Sequence, residues 1–249
     1  MTSEVRAAVF RPDDERIADA VDLLESLGAT PVPDPMLAVE PTGATPAPAD
    51  WTVLTSKTGV ELAAEAGWTP TDTRLACIGP ATADAARAEG WAVDVVPEEY
   101  SSAGLVDALT AAVATDESVG VARSDHGSAV LLDGLREAGI ETTETVLYRL
   151  VRPVDAGEST ARAAAGELEA ALFTSSLTVE HFLDAAAERG VRAAAVEGLA
   201  DAVVGCIGEP TAATARDHGI TVDVVPDEAT FEALATAVVE RAAPSHHGE

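Results

Sequence analysis

The stretch from Cys77 to Pro97 returns from Cys206 to Pro226 with thirteen of its twenty-one positions unchanged. Each copy opens Cys-Ile-Gly and places a threonine three residues after the glycine (Thr82, Thr211). It then runs through small residues to Arg87 or Arg216, reaches Gly90 or Gly219, and closes on Val-Asp-Val-Val-Pro. An apolar run, a glycine turn, a helix-length stretch, a glycine stop and a second apolar run read as strand, helix, strand. Such a unit belongs to a parallel sheet, because a helix must carry the chain back to the edge where the next strand starts. The chain is therefore α/β and built from two similar halves, and its 249 residues suffice for two domains of roughly 100 to 150 residues each.

Flanking segments extend the repeat. Residues 5–10, followed by Ile17, Val21, Leu24 and Leu27 at helical spacing and the stop Gly28, are matched by residues 119–122, Leu131, Leu135, Ala138 and Gly139. Residues 51–54 with the polar turn Thr55-Ser56-Lys57 and the apolar face Val60, Ala63, Ala64 are matched by residues 172–175 with Val179, Phe182, Leu183 and Ala186. The proline-bearing stretches, residues 31–48 and the segment through Arg149, Arg152 and Pro153, fall after the first unit of each half and not between the halves. That displacement predicts one discontinuous lobe, residues 1–36 with 153–249, and a second, residues 37–152. The expected architecture is two parallel-sheet, flavodoxin-like lobes joined by a two-stranded connector, with a ligand site in the cleft between them.

Fifteen basic residues against 43 acidic ones give a net charge of -28, and Lys57 is the one lysine. A carboxylate surface of this density suits high salt, where the screening length falls to about 3 Å at 1 M, and it points to halophilic adaptation. No basic stripe exists to neutralise phosphates, which excludes a nucleic-acid partner. No apolar stretch approaches 18 residues and no signal pattern opens the chain, so a cytoplasmic monomer without a membrane partner is expected. Cys77 and Cys206 stand at equivalent strand positions, which suits burial better than metal or disulfide chemistry. His126, His181, His218 and the tail pair His246-His247 lack ligand spacing, so no metal is expected, and nucleotide, hydrolase and metalloprotease motifs are absent.

Ligands of parallel sheets lie beyond the carboxyl ends of the strands, where the next helix offers unpaired N–H groups and the positive end of its dipole. Ser56, Thr82, Ser175 and Thr211 each put a hydroxyl beside such amides. Singly they read as ordinary helix caps contributing about 1 kcal/mol each; four equivalent turns around one cleft read as an anion site. Arg11 and Arg123 form a matched pair at the ends of the first strands, read equally well as ligand contacts or as surface ion pairs. Lys57 stands in the turn after Ser56.

In order along the chain, Phe10-Arg11-Pro12, Leu54-Thr55-Ser56-Lys57 with Gly59-Val60-Glu61, Ile78-Gly79-Pro80-Ala81-Thr82, residues 123–127, Val146-Leu147-Tyr148-Arg149 and Phe173-Thr174-Ser175 resemble the uroporphyrinogen-III synthase family over nearly the whole sequence. The resemblance implies two lobes with the active site between them, no cofactor, and a linear tetrapyrrole substrate, hydroxymethylbilane, bearing eight carboxylates. It implies a reaction in which the hydroxymethyl oxygen leaves as water and the substituted carbon of the last ring attacks the resulting cation. A spiro intermediate then fragments and recloses with that ring inverted. The matching tyrosine is Tyr148, expected to protonate the leaving oxygen; phenols are weak acids near neutral pH, so orientation and amide contacts are expected to contribute more. The second copy departs from the pattern at Glu209, which stands where the first has Pro80. The competing reading is a catalytically inactive two-lobed binding or regulatory protein for an anionic small molecule.

The charge yields a first prediction. Molar salt should raise the melting temperature by screening carboxylate repulsion; a melting temperature unchanged between about 0.1 and 3 M salt would remove the halophilic reading.

Overall fold

The apolar runs of both halves become strands covered on two faces by helices. In the computed structural model, which describes residues 5–243, the chain forms β1 (Arg6–Phe10), α1 (Glu15–Ser26), β2 (Thr30–Pro33), β3 (Ala38–Pro41), β4 (Trp51–Leu54), α2 (Lys57–Glu65), β5 (Arg74–Cys77), α3 (Pro80–Ala88), α4 (Ser102–Ala112) and β6 (Ser118–Ser124). It continues through α5 (Ala129–Glu137), β7 (Glu141–Val151), α6 (Glu158–Ala164), β8 (Ala170–Phe173), α7 (Ser176–Glu188), α8 (Arg192–Leu199), β9 (Val203–Cys206), α9 (Glu209–Asp217) and α10 (Phe231–Ala242). Two compact units result, one holding the chain up to Ala38 and again from Val151, the other Val39–Leu150. The expected tail, residues 245–249, lies outside the described residues.

In the first unit the strands run in the order β2-β1-β8-β9, each pair parallel. Alternate side chains serve two cores, as a strand buried on both faces requires. Ala8, Phe10, Ala171, Phe173 and Cys206 meet α7 and α9, while Ala7, Val9, Ala170 and Leu172 meet α1 and α10. Three of the chain's four phenylalanines, Phe10, Phe173 and Phe182, pack with ring centroids 4.5 to 5.6 Å apart.

The second unit has the order β3-β7-β6-β4-β5, parallel from β7 through β5. Leu54, Leu75 and Cys77 face α2 and α3; Val53, Ala76 and Val121 face α4 and α5. The registers make the internal symmetry explicit. β1, β2, β8 and β9 of the first unit correspond to β6, β7, β4 and β5 of the second.

The second apolar run of the duplicated segment does not become a full strand. Only Val95 and Val224 bridge to the sheet, opposite Ala76 and Gly205. The cause is the aspartate inside each run: the Asp94 carboxylate accepts the Leu75 N–H at 2.8 Å and that of Asp223 accepts the Val204 N–H at 3.0 Å. A side chain thus takes the donor that a ladder would use, and Pro97 or Pro226 then ends the segment.

Two helices of the first unit, α6 and α8, have no counterpart in the second. Buried Asp34 fixes the start of α6 by accepting the N–H groups of Gly157 and Ser159, each at 2.8 Å, and the Ser159 hydroxyl. Close packing of α10 on the sheet depends on Gly205 in β9, where an added Cβ would collide with Val238 and Leu234. Gly205→Ala should therefore destabilise the protein by about 1 to 3 kcal/mol through overpacking, read as a lower denaturant midpoint; an unchanged midpoint would show that α10 can shift outward.

Candidate active site

In the second unit the neighbouring strands β4 and β6 lead to helices on opposite faces, β4 to α2 and β6 to α5. Connections that diverge in this way leave a crevice beyond the carboxyl ends of the strands. It is a pocket of about 240 Å³ whose polar lining includes Thr55, Ser56, Ser102, Arg123, Ser128 and Tyr148. Ser56 caps α2, Ser128 caps α5 and Ser102 is the first residue of α4, so three helix amino ends open on one space. Their dipoles and Arg123 make the pocket attractive to anions within an acidic protein. A larger pocket of about 380 Å³ lies among Thr45–Ala49 and Trp68–Thr73, beside the amino ends of β4 and β5, where no helix begins.

Tyr148 sits late in β7, only 7% exposed, with its hydroxyl 2.9 Å from Ser56 Oγ. Ser56 Oγ also accepts the Gly59 N–H at 3.0 Å, the capping bond of α2. With that acceptor position used, either hydroxyl of the pair can donate to the other.

Arg123, near the end of β6, is buried at 6% exposure. Its Nε donates to Glu144 Oε1 at 2.7 Å from the neighbouring strand, and its Nη1 donates to the Ser128 carbonyl. A Cβ at Gly127 would stand 2.5 to 2.6 Å from Arg123 Cδ, Nε and Nη1, so this path for the side chain needs glycine there. The surface ion pair considered for Arg123 joins a buried guanidinium to a carboxylate that is one-third exposed, and it borders the pocket.

Other expected positions divide by unit. Lys57 opens α2 with its ammonium 3.3 Å from Glu61 and well exposed. In the first unit Ser175 caps α7 in a reciprocal capping box with Thr178, and the Thr174 hydroxyl donates to the Phe10 carbonyl at 2.7 Å, tying β8 to β1 at the matching crossover. Arg11 stacks on Phe231 at the start of α10.

Thr82 and Thr211 require a correction. They do not precede their helices but lie inside the first turns of α3 and α9, each 4% exposed, and the caps are Gly79 and Gly208, which carry no side chain. Pro80 and Pro210 explain the shift, since proline suits the first helical turn and draws the helix start toward the glycine. Glu209, in that same turn of α9, pairs with Arg216 at 2.6 Å.

Burial pushes the thiols of Cys77 and Cys206 up to about 12, so neither supplies a thiolate at neutral pH. Among the described residues no group of three or more His, Cys, Asp or Glu side chains is arranged to hold a metal ion. Glu144, Ser102 and Ser128 were not singled out in the sequence. Helix starts after serine were legible there, but which of 43 acids would meet Arg123 was not.

A family profile described as uroporphyrinogen-III synthase HemD matches residues 18–236. The chain belongs to the uroporphyrinogen-III synthase family. These enzymes are cyclising lyases of heme biosynthesis, and the activity is closure of hydroxymethylbilane to uroporphyrinogen III with inversion of the last pyrrole ring and loss of water. A relative from Methanothermobacter thermautotrophicus, provisionally designated a uroporphyrinogen-III synthase, is 34% identical over 247 residues, spanning 93% of this chain and 96% of its own. Among solved structures, a mutant uroporphyrinogen-III synthase from the extreme thermophile Thermus thermophilus aligns with a TM-score of 0.64 at 20% identity, covering 96% of this chain and 98% of that one. The synthetase of Helicobacter pylori aligns at 0.59 and 15% identity, covering 95% and 100%. These two likenesses bear out the two-domain α/β fold of a uroporphyrinogen-III synthase.

Gly127→Ala tests how firmly the pocket's cation is seated. The added methyl should displace Arg123 and strain its contact with Glu144, lowering stability by about 1 to 3 kcal/mol, the scale of an overpacked site. A wild-type denaturant midpoint in the variant would mean that Arg123 has a second equally stable seat.

Proposed function

We propose that Tyr148 is the catalytic residue of this synthase and that it works in the pocket at the ends of β4 and β6. The observation that carries the reading is the 2.9 Å contact between the Tyr148 hydroxyl and Ser56 Oγ. Because Gly59 N–H donates to Ser56 Oγ, the Ser56 hydroxyl hydrogen is free to point at Tyr148 Oη. The Tyr148 O–H is then left to donate to the hydroxymethyl oxygen of hydroxymethylbilane. The C–O bond breaks and water departs, leaving a cation conjugated with the adjoining pyrrole. The substituted carbon of the last ring attacks it, the resulting spiro intermediate fragments, and reclosure at the ring's unsubstituted carbon expels a proton that balances the one Tyr148 gave. A phenol is a weak acid, so the larger contribution is orientation: substrate carboxylates anchored by helix amino ends and arginine hold the two ends of the chain within reach.

In this reading Ser56, Lys57, Thr82 and Arg123 of one unit, and Arg11, Ser175 and Thr211 of the other, contact the carboxylates. For Thr82 and Thr211 the contact is through first-turn amides, their hydroxyls being largely buried. The protein acts as a cytoplasmic monomer in a high-salt cell, with neither nucleic acid nor membrane as partner. In support, the net charge of -28 repels polyphosphate, and no helix among the described residues is long and apolar enough to cross a membrane.

Tyr148→Phe should keep the fold and lower kcat by roughly ten- to a hundredfold, below the range of a strong general acid, with KM little changed. The assay supplies hydroxymethylbilane generated in situ in high salt and separates the cyclised isomers, since isomer I forms without enzyme. Wild-type kcat in the variant would reduce Tyr148 to a packing residue; isomer I alone from the folded wild type would overturn the synthase reading.

A further inference from the structure

Arg11 and Arg123 hold equivalent places, one at the end of β1 and the other near the end of β6, yet among the described residues only Arg123 has a carboxylate within hydrogen-bond distance. The registers explain why. Glu144 stands beside Val121 in β7, and the equivalent position, beside Val9 in β2, is Pro33. Asp14, the acid on the turn after Arg11, is taken: its two oxygens accept Nε and Nη2 of Arg16, and one also accepts the Arg16 amide. Arg11 Nε is buried and has no hydrogen-bond partner among the described residues. Its guanidinium lies over the ring of Phe231, with Cζ 4.4 Å from the centroid. Burial, and secondarily the charge of Arg16, lowers the Arg11 pKa against the opposing attraction of Asp14 and Asp19.

Buried N–H groups without partners are rare and destabilising, and where acids outnumber bases 43 to 15 a carboxylate would be the easiest partner to supply. Stacking holds a guanidinium by its face, and a guanidinium fixed in this way can grip a carboxylate with two parallel hydrogen bonds in its own plane. The amino end of α10, where Phe231 sits, adds a positive dipole at the same point.

We propose that Phe231 is a positioning residue for substrate binding: its ring orients the Arg11 guanidinium so that its N–H groups receive one substrate carboxylate. This rests on the reading of Arg11 as a substrate contact.

The test compares wild type, Phe231→Leu, Phe231→Tyr, Arg11→Gln and the Phe231→Leu/Arg11→Gln double variant in the hydroxymethylbilane assay. Phe231→Leu should raise KM roughly three- to tenfold, the scale of a cation–π contact, with kcat within about twofold of wild type. Phe231→Tyr, which keeps the ring, should restore KM, and the double variant should be no worse than Arg11→Gln alone. If Arg11→Gln raises KM and Phe231→Leu does not, or if the leucine and tyrosine variants are equally impaired, the positioning role is wrong while the Arg11 contact stands. If Arg11→Gln leaves KM unchanged, the contact itself falls and the inference with it. A measurement on the wild type covers a Phe231→Leu variant that does not fold. The Arg11 Nε–H proton resonance should lie upfield under the ring current and move downfield on titration with an octacarboxylic porphyrin; a resonance that does neither overturns the proposal.

Discussion

Parallel strands need helical crossovers, and the crossovers cover both faces of each sheet. Eight of the strands are therefore walled in by apolar side chains on one or both sides, and reactive groups can reach solvent only where strands stop. At the carboxyl ends those stops coincide with helix amino ends. The pocket beside Tyr148 follows from this geometry. Ser56, Ser102 and Ser128 arrive there because α2, α4 and α5 begin there, and the β4/β6 divergence supplies the room.

This geometry also reconciles a strongly acidic molecule with a polyanionic substrate. The negative charge is spread over a surface that salt can screen, whereas Arg123, itself buried, and the helix dipoles act at short range, where screening is weak. Glu144 neutralises part of that local charge while fixing its direction.

The duplicated pattern made the strand–helix order and the helix stops legible, because apolar runs and glycines act locally. Gly90 and Gly219 end α3 and α9 at φ values of 79° and 81°, as their places in the repeat foretold. Contacts across the fold were less legible. That Asp94 and Asp223 would replace a ladder bond depends on side-chain rotamers, and that α6 and α8 exist depends on Asp34 and on close packing of alanine-rich surfaces with little periodicity. The pairing of Ser56 with Tyr148 spans 92 residues of sequence and needed the β4–β6–β7 register to appear. Thr82 and Thr211 were misplaced by a few residues because proline and a bare glycine, not a hydroxyl, start those helices.

The two halves share more than their strand order. The bond from an aspartate to a strand amide occurs at the same place in both, Asp94 to Leu75 and Asp223 to Val204, inside the same Val-Asp-Val-Val-Pro string. One device thus serves both halves. The residue beside the matched arginine differs: glutamate in one half and proline in the other. The scaffold is common property, and the residues beside the strand ends are where each half becomes an individual.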